Sequence, residues 1–139
     1  MTLSIRNQLP GTVTAITRGE AMATVKVRLD GGQEITAAIT LEAVNDLGLT
    51  RDSAVRALVK STEIALSASP VEGLSIRNRL PGTVTAVASG PAMTSVKVSV
   101  DGGELTAAIT TDAATELGLG TGSAVVALIK STEVSLATA

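Results

Sequence analysis

Read for the alternation of apolar and polar positions, the chain breaks into short strands with one change of period. Thr12-Val13-Thr14-Ala15-Ile16-Thr17 alternates hydroxyl-bearing and apolar side chains, the pattern of a half-buried strand. Ahead of it, Leu9-Pro10-Gly11 reads as a structural turn. Val25, Val27 and Leu29 alternate with Lys26 and Arg28, Asp30-Gly31-Gly32 supplies a hairpin turn, and Glu34 to Ile39 is the predicted return strand. Leu41, Val44 and Leu47 then recur at helical spacing, with Thr40 as N-cap and Gly48 as the C′ residue. Ala54–Lys60 and Glu63–Leu66 predict two further strands, joined by Ser61-Thr62.

The whole series occurs twice. Leu3-Ser4-Ile5-Arg6-Asn7 returns as Leu74-Ser75-Ile76-Arg77-Asn78, and Leu9-Pro10-Gly11-Thr12-Val13 as Leu80-Pro81-Gly82-Thr83-Val84. Thr36-Ala37-Ala38-Ile39-Thr40 returns as Thr106-Ala107-Ala108-Ile109-Thr110, and Lys60-Ser61-Thr62-Glu63 as Lys130-Ser131-Thr132-Glu133. Aligning Leu3–Leu66 with Leu74–Leu136 gives roughly two-thirds identity with one gap opposite Gln33. The expected organisation is one domain over residues 1–68, a linker over 69–73 and a second domain over 74–139. Five or six short strands and one helical turn per copy predict a mainly β fold, two tandem OB-like Greek-key barrels each with one short helix.

Composition narrows the chemistry. The chain of 139 residues has no His, Cys, Trp, Tyr or Phe. That excludes zinc and iron–sulfur ligation by Cys or His, a Ser–His–Asp triad, and aromatic stacking on single-stranded nucleic acid. A formal net charge of −2 offers no broad basic face to a polyanion. No apolar run spans a bilayer, and Met1-Thr2-Leu3-Ser4-Ile5-Arg6 lacks the apolar core of a signal peptide, so a cytoplasmic protein with no membrane and no nucleic-acid partner is expected. Repeats this small, without aromatics, bury little surface alone. Self-association is the device left to them, and an obligate homo-oligomer with repeats packed across chains is expected.

Three segments carry polar groups that strand patterning does not require. In Ser4-x-Arg6-Asn7 and Ser75-x-Arg77-Asn78, period two puts the hydroxyl and the guanidinium on one side. Thr40 and Thr110 precede the helices, where backbone N–H groups are unpaired. Lys60-Ser61-Thr62 and Lys130-Ser131-Thr132 close an apolar strand with an ammonium, hydroxyls and turn amides. Each also has an ordinary reading: an exposed edge strand, a helix cap, a polar turn. Together they are rich in donors and contain no carboxylate that must face the same point. A fully deprotonated tetrahedral dianion accepts hydrogen bonds and donates none, so such a set suits sulfate, molybdate or tungstate better than protonated phosphate.

Ser-Ile-Arg-Asn, Leu-Pro-Gly-Thr-Val, Ala-Ala-Ile-Thr, Leu-Gly-Leu and the Lys-Ser-Thr segment occur in order, twice, and this set resembles the molybdate-binding Mop domain; the tandem arrangement is similar to that of the di-domain molbindins. The resemblance implies OB-like barrels, a homotrimer of two-domain chains, and oxyanion sites between domains that store molybdate, and tungstate with it, without a catalytic cofactor or an enzymatic step. By position it implies as ligands Ser4, Arg6, Thr40, Lys60 and Ser61, with Ser75, Arg77, Thr110, Lys130 and Ser131 in the second copy. Ala43 and Ala113 stand where some relatives carry a serine, so only their backbone N–H groups could contribute. Asn7 and Asn78 belong to the motif either as ligands or as structural residues. The competing readings are an OB-like interaction module and the oxyanion-sensing component of a molybdate-responsive regulatory or transport system.

Overall fold

The computed structural model describes residues 2–139. Each repeat contributes the same series of elements. The first has strands β1 (Asn7–Arg18), β2 (Met22–Leu29) and β3 (Glu34–Thr40), helix α1 (Leu41–Asp46), β4 (Ala54–Val59), a 3-10 turn (Ser61–Glu63) and β5 (Ala65–Ser67). The second has β6 (Asn78–Ser89), β7 (Met93–Val100), β8 (Gly103–Thr110), α2 (Thr111–Glu116), β9 (Ala124–Ile129), a 3-10 turn (Ser131–Glu133) and β10 (Ser135–Thr138). The fold is mainly β, two curled five-stranded antiparallel sheets of the OB-like kind expected. No helix among the described residues is long and apolar enough to cross a membrane.

The strand order carries the main surprise. One sheet runs β10-β4-β1-β2-β3 and the other β5-β9-β6-β7-β8. The last strand of each repeat therefore completes the sheet of the other: Leu136 pairs with Ala57, and Leu66 with Ala127. The exchange merges the two repeats into one apolar core, built from Val, Leu, Ile and Ala of both copies.

Leu9-Pro10-Gly11 is not a turn. It lies inside β1, where Leu9, Pro10 and Gly11 face Ala57, Arg56 and Val55 of β4. Pro10 is tolerated because it lies opposite Asp30, just past the end of β2: its carbonyl accepts the Asp30 N–H, and the N–H it lacks would have served only this last position of the ladder. Gly11 is required by sterics: a Cβ there would sit 2.7 Å from the Arg28 carbonyl oxygen, because β1 bends as it passes from β4 to β2. Further along β1 the register slips between Val13 and Ala15, a bulge that deepens the curl; the second repeat slips identically between Val84 and Ala86.

The helix forms as predicted, for the predicted reasons. Thr40 Oγ1 accepts the Ala43 N–H at 3.1 Å. At the other end Gly48 adopts φ +62°, Gly48 N–H reaches Asn45 O, and Leu49 N–H reaches Val44 O. That is a Schellman closure, with Val44 and Leu49 buried beneath it. The second repeat repeats it through Thr110, Gly118 and Leu119.

Reciprocal contacts tie the repeats together. The Asn7 side chain accepts Thr106 N–H at 2.8 Å and donates to Thr106 O at 2.9 Å, while Asn78 does the same with Thr36 at 2.8 Å for both bonds. The two hairpin tips also meet: a Cβ at Gly31 would overlap the Asp101 carbonyl, and one at Gly102 would lie 2.5 Å from Gly31 Cα. Gly31 and Gly102 thus serve the contact between repeats as well as the turn.

Candidate functional site

Two of the three donor segments converge. Strand pairing places Asn7 opposite Val59, so Ser4-Ile5-Arg6 leaves the sheet beside Lys60-Ser61-Thr62, which leaves it from the neighbouring strand. Between these arms lies an open cleft of about 320 Å³ lined by Ser4, Ile5, Arg6, Lys60, Ser61 and Thr62. The second repeat forms the same cleft, about 330 Å³, from Ser75, Ile76, Arg77, Lys130, Ser131 and Thr132. Asn78 and Ile129 are paired there as Asn7 and Val59 are in the first repeat.

No carboxylate lines either cleft. Each offers a guanidinium, an ammonium and three hydroxyls, and it ends on the start of a 3-10 turn that carries no side-chain cap. The first N–H groups of such a turn lack an intrahelical acceptor, which adds backbone donors to the same wall. Sequence reasoning did not single out Thr62 and Thr132 individually as site residues, nor Ile5 and Ile76; their place on the wall follows from how the two arms diverge.

The third segment lies elsewhere. Thr40 lines a separate cleft of about 570 Å³ with Glu20, Ala21, Leu41, Glu42, Asn45 and Asp46. No residue of the Arg6 cleft borders it. Ala43 N–H is already donated to the Thr40 hydroxyl, and Ala113 N–H to Thr110. Accepting that bond leaves the hydroxyl hydrogen free, so Thr40 and Thr110 remain outward-facing donors while the two alanine amides are engaged. Glu20, Glu42 and Asp46 make the surroundings of Thr40 acidic, a feature visible only once the β1–β2 turn is seen beside the helix.

Asn7 and Asn78 line neither cleft. Both are buried, and both ends of each amide are satisfied by the other repeat's backbone. Of the two readings open from sequence, these bonds are structural ones. Beside the clefts, Glu63 and Glu133 both border one small cleft with Lys60 and another with Lys130.

The exchanged half-barrels and twin clefts belong to a recognised class. The chain belongs to the TOBE domain family, which matches over residues 3–66 and again over 74–136. The resemblance to tandem Mop-domain proteins drawn from the motifs holds. It is 39% identical over 136 residues to the molybdenum-pterin-binding protein MopB of Rhodobacter capsulatus, covering 96% of this chain and 50% of that protein. It is 38% identical over 138 residues to the molybdenum transport protein ModE of Azotobacter vinelandii, covering 99% of this chain and 51% of that protein. The chain therefore spans about half the length of these curated relatives. Among solved structures, the cytoplasmic molybdate-binding protein ModG with molybdate bound superposes with a TM-score of 0.96 at 37% identity, over 100% of both chains.

Proposed function

We propose that this protein binds molybdate, and tungstate by the same chemistry, as a reversible store in the cytoplasm. The observation that carries the reading is the pair of carboxylate-free clefts where Ser4 and Arg6 meet Lys60 and Ser61, and Ser75 and Arg77 meet Lys130 and Ser131. A tetrahedral dianion fills such a wall with acceptor oxygens only, and Arg with Lys supplies charge-assisted donors. The likeness to the cytoplasmic molybdate-binding protein ModG, over the full length of both chains, supports the choice of molybdate as the anion. Nothing in the clefts pairs an acid with a base or activates a nucleophile, so binding makes and breaks no covalent bond and calls for no catalytic cofactor.

The clefts are open on one side, and neither Thr40 nor Thr110 lines them. A complete shell around the anion therefore draws its last donor from another copy. Charge supports that docking: the Thr40 surface carries Glu20, Glu42 and Asp46, and the opposing cleft carries Arg6 and Lys60. Met22 and Met93, 49% and 46% exposed, sit in register with Thr40 and Thr110 and give the same surfaces an apolar contact. Two unlike faces make a head-to-tail contact, which closes into a ring, and the proposed ring is a homotrimer.

Titration calorimetry with molybdate, using sulfate as competitor, tests the reading directly. Replacing both Arg6 and Arg77 by alanine should remove most binding, whereas Lys26→Ala, on an exposed strand face, should leave it intact; equal losses would overturn the site assignment. Saturating molybdate should also raise stability by linkage, about 2.7 kcal/mol at a hundredfold excess over Kd.

A second reading draws on the ModE matches, since a protein named transcriptional regulator ModE in Yersinia pestis is 33% identical over 137 residues, 97% of this chain and 52% of that protein. In that reading the clefts report molybdate to a regulatory partner. Molybdate-dependent capture of DNA or of a DNA-binding protein would favour it over storage.

A further inference from the structure

Each cleft is bracketed from the opposite repeat by a single buried amide. Asn7 follows Arg6 directly and is 2% exposed. Its backbone pairs with Val59, the residue before Lys60, while its side chain grips both the N–H and the C=O of Thr106 in β8. Asn78 holds the same three-way position, next to Arg77, opposite Ile129, and bonded to both polar groups of Thr36 in β3.

An amide side chain bonded this way replaces one peptide unit of an absent neighbouring strand. The outer edges of β3 and β8 present unpaired N–H and C=O groups, and only every second residue points both of them outward. The bracket therefore specifies one register between the start of β1 and the edge strand of the other repeat. An apolar contact would tolerate sliding; a bidentate one does not.

The second arm of the cleft is seated on the same support. The 3-10 turn Ser61–Glu63 packs against β8, and Ser131–Glu133 against β3. Both walls of each cleft thus rest on the edge strand of the opposite repeat, one by packing and one by the amide bracket. The spacing between Arg6 and the Lys60-Ser61 turn is consequently set by the contact between repeats.

We propose that Asn7 and Asn78 are positioning residues of the oxyanion sites, holding the Ser-x-Arg arm at the separation from the Lys-Ser arm that a tetrahedral oxyanion requires. The proposal rests on the molybdate-binding reading of the clefts. It assigns neither asparagine to contact with the anion. A residue that only stabilised the fold would lower the melting temperature and leave the affinity of the folded protein alone; a positioning residue changes affinity at the cleft it brackets.

The experiment measures molybdate binding by calorimetry, well below the melting temperature, in an Arg77→Ala background where the first-repeat clefts alone remain competent. There Asn7→Asp, which keeps the size and the bond from Thr106 N–H but turns an acceptor toward Thr106 O, should weaken binding at least tenfold. Asn78→Asp in the same background adds the same charge and loses the same kind of bond, yet should weaken binding by less than threefold. The mirrored pair in an Arg6→Ala background should reverse the order. Equal effects of the two substitutions, or none, would overturn the positioning role. Because a carboxylate beside Arg6 would also repel the anion, the uncharged pair Asn7→Ser and Asn78→Ser, too short to reach the threonine backbone, is compared in the same way. It should show the same order; equal effects of this pair would overturn the positioning role. Absence of molybdate binding by the unsubstituted protein, or by Arg77→Ala with both asparagines intact, would instead overturn the binding reading or its site assignment.

Discussion

The two repeats differ most tellingly at one buried position and the half-buried residue beside it. In the second, Thr94, 1% exposed, shares a 2.9 Å hydrogen bond with Thr111, whose hydroxyl reaches Gly90 O at 2.7 Å. In the first, the equivalent positions hold Ala23 and Leu41, an apolar pair against the same core. Thr111→Val should therefore cost about 1–3 kcal/mol in urea denaturation, since it leaves the Thr94 hydroxyl buried with no partner. The double change Thr94→Ala with Thr111→Leu, which copies the first repeat, should be far less harmful because both polar partners leave together. Arg79 makes a similar residue-scale distinction: it donates to the carbonyls of Val71, Leu74 and Ile76, whereas Gln8 in the first repeat reaches only Ile5. Arg79→Gln should loosen the segment from Val71 to Ile76, read as faster amide exchange there with little change in the first repeat. These differences stand in the sequence as plain mismatches between copies, but their meaning depends on which side chains face inward.

Among the elements, the helices were the most legible. A cap, an apolar spacing and a C′ glycine are local signals acting within nine residues, and all three operate as read. Thr40→Ala should destabilise by about 1 kcal/mol through loss of the cap, while Thr40→Ser should not. Gly48→Ala, forced to φ +62°, should cost about 1–2 kcal/mol. Thermal melts of the three variants check both expectations. The strands were legible in place but not in extent. Pro10 and Gly11 signal a turn to any local reading, and they lie mid-strand only because β1 changes neighbours there and bends across β2. Similarly, the donors of the Arg6 cleft could be collected from sequence, but their adjacency comes from the pairing of Asn7 with Val59.

At the scale of the whole molecule, the strand exchange changes what a repeat is. Repeats of this size without aromatics were expected to seek burial across chains; the structure supplies part of that burial within one chain, by merging both cores. A chain cut to residues 1–73 loses the partner of β5, the strand that should lie beside β4, and the backbone that Asn7 brackets. A second copy can restore all three. Sedimentation of that fragment should show a dimer, with a dilution-dependent melting temperature; a stable monomer would mean that the exchanged strand is dispensable.

The amino-acid order alone determined the duplication, the β-rich repeat, the capped helix and the inventory of donors suited to an oxyanion, because each depends on periodicity or on neighbours a few residues apart. Tertiary structure alone decided which repeat each final strand serves, why Asn7 and Asn78 are buried, and which donors share a cleft. Two copies that share the same strand pattern leave local sequence unable to tell the self pairing from the exchanged one. Only the packing of the complete chain, in which each edge strand meets the other repeat's asparagine and terminal strand, separates them.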